Sequence, residues 1–339
     1  MRVGIIARAD KSGLGQGQTL RLVKFLNPAK VMVIDSTPFK KPVPKQYHEW
    51  YEGYNTTTVI GLPTIQDVDR FLKDIDVVIS CETFYSHYFV SEAKKRGVKT
   101  ALIFNYEFLD NLLYSNIQVP DILIQPSYWH LDSMADRFGA VYLPTPIFSD
   151  EFAKARKTNL KRKNTRHYLF MNGKTAANDR NGLNSLYSAL KYAKGDFTIT
   201  VKAQNDVERT TDPRVTYDFS NPDDQNDLYE GYDALILPRR YAGQSLPMCE
   251  ALCAGLPVVM TDIDPNNKVL PPEWLVSARK INQFMVRAMI DVYEADPIKL
   301  AMVLDTLPVD AAAKAKAVEL SKEYDPVILL PKYREVLGL

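Results

Sequence analysis

Short apolar runs recur along the chain, each followed by a polar or glycine-bearing turn and then by residues spaced for a helix. In the first half the runs are Val3–Ala7, Val31–Ile34, Asp76–Ser80, Thr100–Phe104, Asp121–Gln125 and Val141–Leu143. In the second half they are His167–Met171, Phe197–Val201, Val215–Phe219, Ala234–Leu237 and Val258–Met260. Runs this short, apolar rather than alternating, predict strands covered on both faces, as in a parallel sheet. Thr19–Leu26, Leu131–Phe138, Leu183–Tyr192, Asp227–Tyr232 and Met248–Ala254 carry helical spacing between them. Ile281–Tyr293 and Leu300–Lys316 read as helical too. Strand and helix alternating in this way predict two doubly wound, Rossmann-like α/β domains.

Two stretches break the alternation. Phe39–Tyr54 is rich in proline, lysine and aromatic residues and reads as a long loop, or a loop with one helical turn. Its rings could pack as an edge or stack on a sugar or base. Asp150–Arg166 holds Lys154, Arg156, Lys157, Lys161, Arg162, Lys163 and Arg166 and reads as a basic connection between domains. Such a run is ordinarily a solvated face, with phosphate tracking as the alternative. At 339 residues the chain has room for two domains, expected at 1–149 and 167–318 with the linker at 150–166 and a last segment at 319–339.

Charge and cysteine usage narrow the class. With 46% hydrophobic and 24% charged residues the chain has a globular composition, and a net charge of +1 gives it no global field for nucleic acid or membrane. Cys81, Cys249 and Cys253 lie in or beside apolar runs with no metal spacing, which suits reduced core thiols in a cytoplasmic protein. No apolar run approaches the roughly 20 residues of a membrane span. Met1–Ala9 reads as a strand, not a signal peptide.

The most informative stretch is Leu237–Thr261. It reads strand, loop, helix, turn, strand. Ser245 suits an N-cap and Pro247 sits where a missing N–H costs nothing. Gly255 suits a C′ position and Pro257 ends the helix. A helix start behind a glycine-bearing loop at a strand's carboxyl end gathers free amides and positive dipole, which suits a diphosphate. Glu250, one turn further in, could hold ribose hydroxyls. The same residues also suit an ordinary αβ unit of a parallel sheet.

This stretch resembles the signature of retaining GT-B glycosyltransferases, family 4 above all. Gly243-Gln244-Ser245-Leu246-Pro247 matches the family's loop, Glu250 its second glutamate, and Ala254-Gly255-Leu256-Pro257-Val258-Val259 the run that follows. The first glutamate falls on Ala242, which cannot contact a donor sugar as that acid does. The resemblance implies two Rossmann-like domains facing a cleft, with the donor mainly on the second, the acceptor mainly on the first, and the last helix crossing back to the first domain. It implies that Lys174 and Arg180 match the cations that grip the donor diphosphate, and that Gly13, Gly15 and Gln16 of the first glycine loop lie against the donor phosphates. Taken alone, those glycines do not spell a dinucleotide fingerprint and also suit a tight turn. The nucleotide base is implied near 202–205 and 217–219.

Glu82 and His87 follow a strand end and so fall where ligands of open parallel sheets gather. Glu82 is the better catalytic candidate there, while a packing role is at least as good a reading for His87. No Asp-x-Asp falls in a loop expected to face the donor, so a metal and a cofactor are both unexpected. The expected activity is transfer of a sugar from a UDP- or GDP-type donor to a hydroxyl with retention. The departure at Ala242 keeps a catalytically silent binding protein open, and the fold keeps an epimerase or phosphorylase open. Glycan, lipid, protein and modified DNA base all remain as acceptors, and the oligomeric state is unspecified.

Overall fold

The computed structural model describes residues 1–40, 43–108, 119–163, 165–173, 177–241 and 243–339. The chain forms two compact units. The first takes residues 1–146, 286–288 and 326–339, and the second takes 147–285 and 289–325.

Unit 1 is built on seven strands: β1 Val3–Arg8, β2 Lys30–Asp35, β3 Thr56–Ile60, β4 Val77–Cys81, β5 Lys99–Ile103, β6 Ile122–Gln125 and β7 Val141–Tyr142. Their order is β3-β2-β1-β4-β5-β6-β7, parallel throughout. Every residue of β1 and β4 is buried, because helices cover both faces of an all-parallel sheet. The helix Pro326–Leu337 supplies Leu329, Tyr333 and Leu337 to the core on Ile5, Val33 and Ile79. Its Tyr333 hydroxyl donates to Pro144 O at 3.1 Å, so a fully buried phenol is not left unsatisfied.

Unit 2 is built on β8 His167–Gly173, β9 Thr198–Ala203, β10 Val215–Asp218, β11 Ala234–Leu237, β12 Val258–Thr261 and β13 Leu275–Val276. Their order is β10-β9-β8-β11-β12-β13, again all parallel. Tyr168, Phe170, Ile199, Leu235, Val259 and Trp274 are among the residues of its core. Residues 150–166, expected as a connection, contain the helix Ala153–Lys161, which is part of unit 2. Ala155 and Asn159 are buried, and Asn159 Nδ2 donates to Tyr229 O at 3.0 Å and Ala254 O at 2.9 Å. Lys154 on its outer face pairs with Asp227 and Glu230.

Ile281–Tyr293 is not helical. It lies within an antiparallel hairpin of β14 Ala278–Met285 and β15 Met289–Ala295. The helical reading fails because the buried residues Ile290 and Val292 alternate with more exposed neighbours, the period of a strand. The stretch 300–316 is helical except for 307–310, which separate Pro297–Thr306 from Ala311–Ser321.

The two parallel sheets share one topology. Strand order reverses between β1 and β4 in one and between β8 and β11 in the other. Connections leave such a pair toward opposite faces, so a crevice opens at the carboxyl ends there.

Candidate functional site

In unit 2 the two segments that carry the expected donor residues leave this adjacent pair of strands. The segment after β8 runs through the turn Ala177–Asp179 to the helix Leu183–Leu190. The segment after β11 runs from Pro238 to the helix Leu246–Cys253. Arg240 ties them together: its amide donates to Arg180 O at 2.9 Å and its Nη1 to Asn178 O at 2.9 Å. Gly182 makes this approach possible. A Cβ there would lie 2.1 Å from Pro238 O, and its φ of +80° is left-handed.

The two helix starts differ. The helix at Leu183 is closed by Asp179, whose carboxylate accepts from the Leu183 and Asn184 amides at 2.9 Å each. Burial holds the Asp179 carboxyl above its ordinary range in spite of those amides. The helix at Leu246 is capped by the neutral Ser245 hydroxyl, which accepts from the Met248 amide. An anion is therefore repelled at the first start and favoured at the second. Arg180 lies on the turn between them. Its Nε is buried and has no hydrogen-bond partner among the described residues, an arrangement that costs free energy unless something else supplies an acceptor.

Glu250 is buried on the helix Leu246–Cys253, and its Oε2 accepts from the Tyr229 hydroxyl at 2.5 Å. Gln244 Nε2 reaches Cys249 Sγ at 3.7 Å, and Gly243 and Leu246 are half-buried beside it in sequence. Lys174, and Ala242 where the family motif departs, lie outside the described residues. Of the region expected for the base, Lys202 Nζ pairs with Asp218 Oδ2 at 2.5 Å, and the Tyr217 and Phe219 rings stack at 6.4 Å with Arg209 over both.

The unit 1 candidates sit at the carboxyl ends of β1 and β4. Gly13, Gly15 and Gln16 lie in a wide helical turn, Gly13–Thr19. The Gly15 amide donates to Ser12 Oγ at 2.9 Å and the Gln16 amide to Asp10 O at 3.0 Å, so both are used within the turn. A Cβ at Gly15 would lie 2.2 Å from Asp10 O, so that glycine serves close packing of the turn on Asp10. Glu82 follows β4 at a left-handed φ of +63°, and Asn105 Nδ2 donates to its Oε1 at 3.3 Å. Burial, with Glu107 adding repulsion, pushes its carboxyl up to about 7. His87 is exposed, its ring packed on Tyr88 at 3.8 Å.

Sequence reasoning passed over Tyr229, Asp179, Arg240 and Arg8. Asp179 had a signal, a carboxylate placed just ahead of Gly182 and the apolar start of a helix. Tyr229 had none, because it meets Glu250 only through the fold.

Residues 191–295 match the family model described as "Glycosyl transferases group 1". No curated protein is matched. A glycosyltransferase from Rickettsia africae is 14% identical at a TM-score of 0.67, with 99% of this chain and 98% of that one covered. Anabaena HepE in complex with UDP and glucose is 11% identical at 0.69, covering 100% and 99%. Sucrose-phosphate synthase from Thermosynechococcus elongatus is 12% identical at 0.67, covering 100% and 99%. These likenesses span both sheets and identify the fold as GT-B. The resemblance to GT-B glycosyltransferases read from Gly243 to Val259 is thereby borne out, apart from retention, since that stretch lies inside the matched residues.

Proposed function

We propose, from the premise that this chain is a GT-B glycosyltransferase, that it transfers a sugar from a UDP- or GDP-type donor to a hydroxyl with retention and without a metal ion. The observation that carries the donor side is the switch point of unit 2. Arg180, with a buried Nε lacking a partner, lies on the turn that Arg240 ties to the loop preceding the Ser245-capped helix. The diphosphate is seated against Arg180, the helix-start amides at 243–246 and Lys174. As the bond from the sugar to the phosphate oxygen breaks, charge grows on that oxygen, and fixed donors already aimed at it lower the barrier. Glu250, oriented by Tyr229, holds the ribose hydroxyls; the Tyr229 hydroxyl fixes one carboxylate oxygen. The UDP and glucose bound by Anabaena HepE favour a UDP-type donor. Retention follows the family's same-face mechanism, in which the leaving phosphate takes the acceptor's proton, so the departure at Ala242 does not remove an obligatory base. We place the protein in the cytoplasm; no helix among the described residues is long and apolar enough to cross a membrane.

The test is incubation with UDP- and GDP-sugars, with and without EDTA, while slow hydrolysis is followed by nucleotide release. Release that survives EDTA, with the anomeric configuration of the freed sugar followed by NMR, supports the reading. No release from any donor, with nucleotide still bound, favours the catalytically silent protein that Ala242 suggests.

A further inference from the structure

The hairpin of β14 and β15 pairs with neither parallel sheet, and all of its paired residues belong to unit 2. A lone pair of strands is marginal in water, so it needs anchors. One anchor is apolar: Ile290 and Val292 of β15 are 0% and 1% exposed. The other is the segment that follows β11. The Tyr293 amide donates to Arg240 O at 2.9 Å, and Arg240 Nε donates to Tyr293 O at 3.1 Å. The buried Tyr241 ring meets Phe284 of β14 edge-on at 5.1 Å.

Arg240 therefore works in two directions. Its amide and Nη1 donate to Arg180 O and Asn178 O, while its carbonyl and Nε serve Tyr293. The backbone supplies one bond to each side, and the planar guanidinium fork supplies a second to each. Lysine carries one point-charge ammonium and cannot present two donors in that fixed fork. The turn 178–180 is thus fixed against the hairpin. On that turn sits Arg180, whose buried Nε has no hydrogen-bond partner among the described residues. A donor on a short turn is only as well aimed as the turn is fixed, and aim governs how far it stabilises a growing charge.

We propose that Arg240 is a positioning residue and that the hairpin β14–β15 is its abutment: together they hold Arg180 in place against the donor diphosphate. This rests on the donor reading above and adds to it a segment, 278–295, that lies outside the signature stretch. The hairpin acts through Arg240 and Arg180 on the phosphate end of the donor. It leaves recognition of the nucleoside to other residues.

The test is titration of the full chain with UDP, GDP, uridine and guanosine, followed by NMR, together with donor hydrolysis kinetics. Arg240→Ala is expected to weaken the nucleoside diphosphate that the parent prefers by about tenfold. It should also lower kcat by up to about a hundredfold, the cost of misplacing a group by ~1 Å. Affinity for the matching nucleoside should not change, which a general loosening of unit 2 would not allow. Arg240→Lys should lose as much as Arg240→Ala. Phe284→Ala, which strips packing from the hairpin and leaves Arg240 in place, should weaken the diphosphate by about threefold and spare the nucleoside. Three results would overturn the assignment: unchanged diphosphate binding and turnover in Arg240→Ala, equal losses for diphosphate and nucleoside, or full recovery in Arg240→Lys. A parent chain that binds neither diphosphate would instead overturn the donor reading itself, before any variant is compared.

Discussion

The two parallel sheets reverse strand order in the same way, yet the charges at their switch points are paired differently. At β8 and β11 Arg180 has a buried nitrogen without a partner among the described residues, and the nearby carboxylate, Asp179, is spent on capping a helix. At β1 and β4 the cation is paired, Arg8 being held through Nη2 by Asp10 and Ser36 although its Nε also lacks a partner among the described residues, and Glu82 accepts from Asn105 at 3.3 Å. The first arrangement suits negative charge, as the proposed donor site requires. Topology fixes where a ligand gathers, and pairing within the fold decides its sign.

The strongest way to break this contrast is to remove the cations of unit 2. Replacing Lys174 and Arg180 by alanine together is expected to lower kcat by at least about a thousandfold, since loss of even one donor to developing charge costs roughly two to three orders of magnitude. Nucleotide release at near wild-type rate from that variant would exclude the donor site described.

A smaller effect attacks the joint between the two unit 2 loops. Gly182→Ala forces a Cβ against Pro238 O from a left-handed backbone, at a cost of about 2–3 kcal/mol. Chemical denaturation should show that loss, and the donor KM should rise because Arg180 and the 243–246 loop are no longer held together. Unaltered stability would mean that the loops are free to part without consequence.

Glu250 sharpens the donor side further. Glu250→Ala is expected to raise the donor KM by about tenfold or somewhat more, with kcat less affected, because it removes charge-assisted bonds made equally in ground and transition states. Tyr229→Phe, which frees the carboxylate but leaves it in place, should give a smaller rise. Steady-state kinetics on both variants reads the difference, and equal effects would assign Glu250 to packing alone.

How legible these features were depends on what each residue meets. Runs such as Ala234–Leu237 and Val77–Cys81 are buried at every position, so their sequence is apolar without a break. The edge strand β3 was not visible because Thr56, Thr57 and Thr58 are only half-buried or exposed and Val59 is its one buried residue. The hairpin was misread because Ile281, Phe284, Ala288 and Val292 also fall three or four apart, and local spacing does not encode which partner strand they meet. At the site, the 243–246 loop and Glu250 could be found because a motif holds them close in sequence. The capping by Asp179, the Arg240 tie and the Arg8 group join residues that only the folded sheet brings together.

The smallest effect belongs to Glu82 and reads stability instead of turnover. Its carboxyl titrates at about 7 against an ordinary 4.5, chiefly because burial disfavours the charge and Glu107 repels it. Below about 4.5 both folded and unfolded chains hold the proton, and the group costs nothing. Between about 4.5 and 7 the unfolded chain loses its proton first, so stability falls as pH rises through that window. Above about 7 the folded chain carries the unfavourable charge in full. Glu82→Gln removes that penalty and keeps the left-handed backbone. The variant should therefore be more stable than the parent at about pH 8, by on the order of 1–2 kcal/mol after allowance for partial solvent access. The gap should close toward about pH 4. Equal stability of variant and parent at about pH 8 would show that burial does not hold the Glu82 carboxyl up. A gain above neutrality marks a buried charge kept at the expense of the fold.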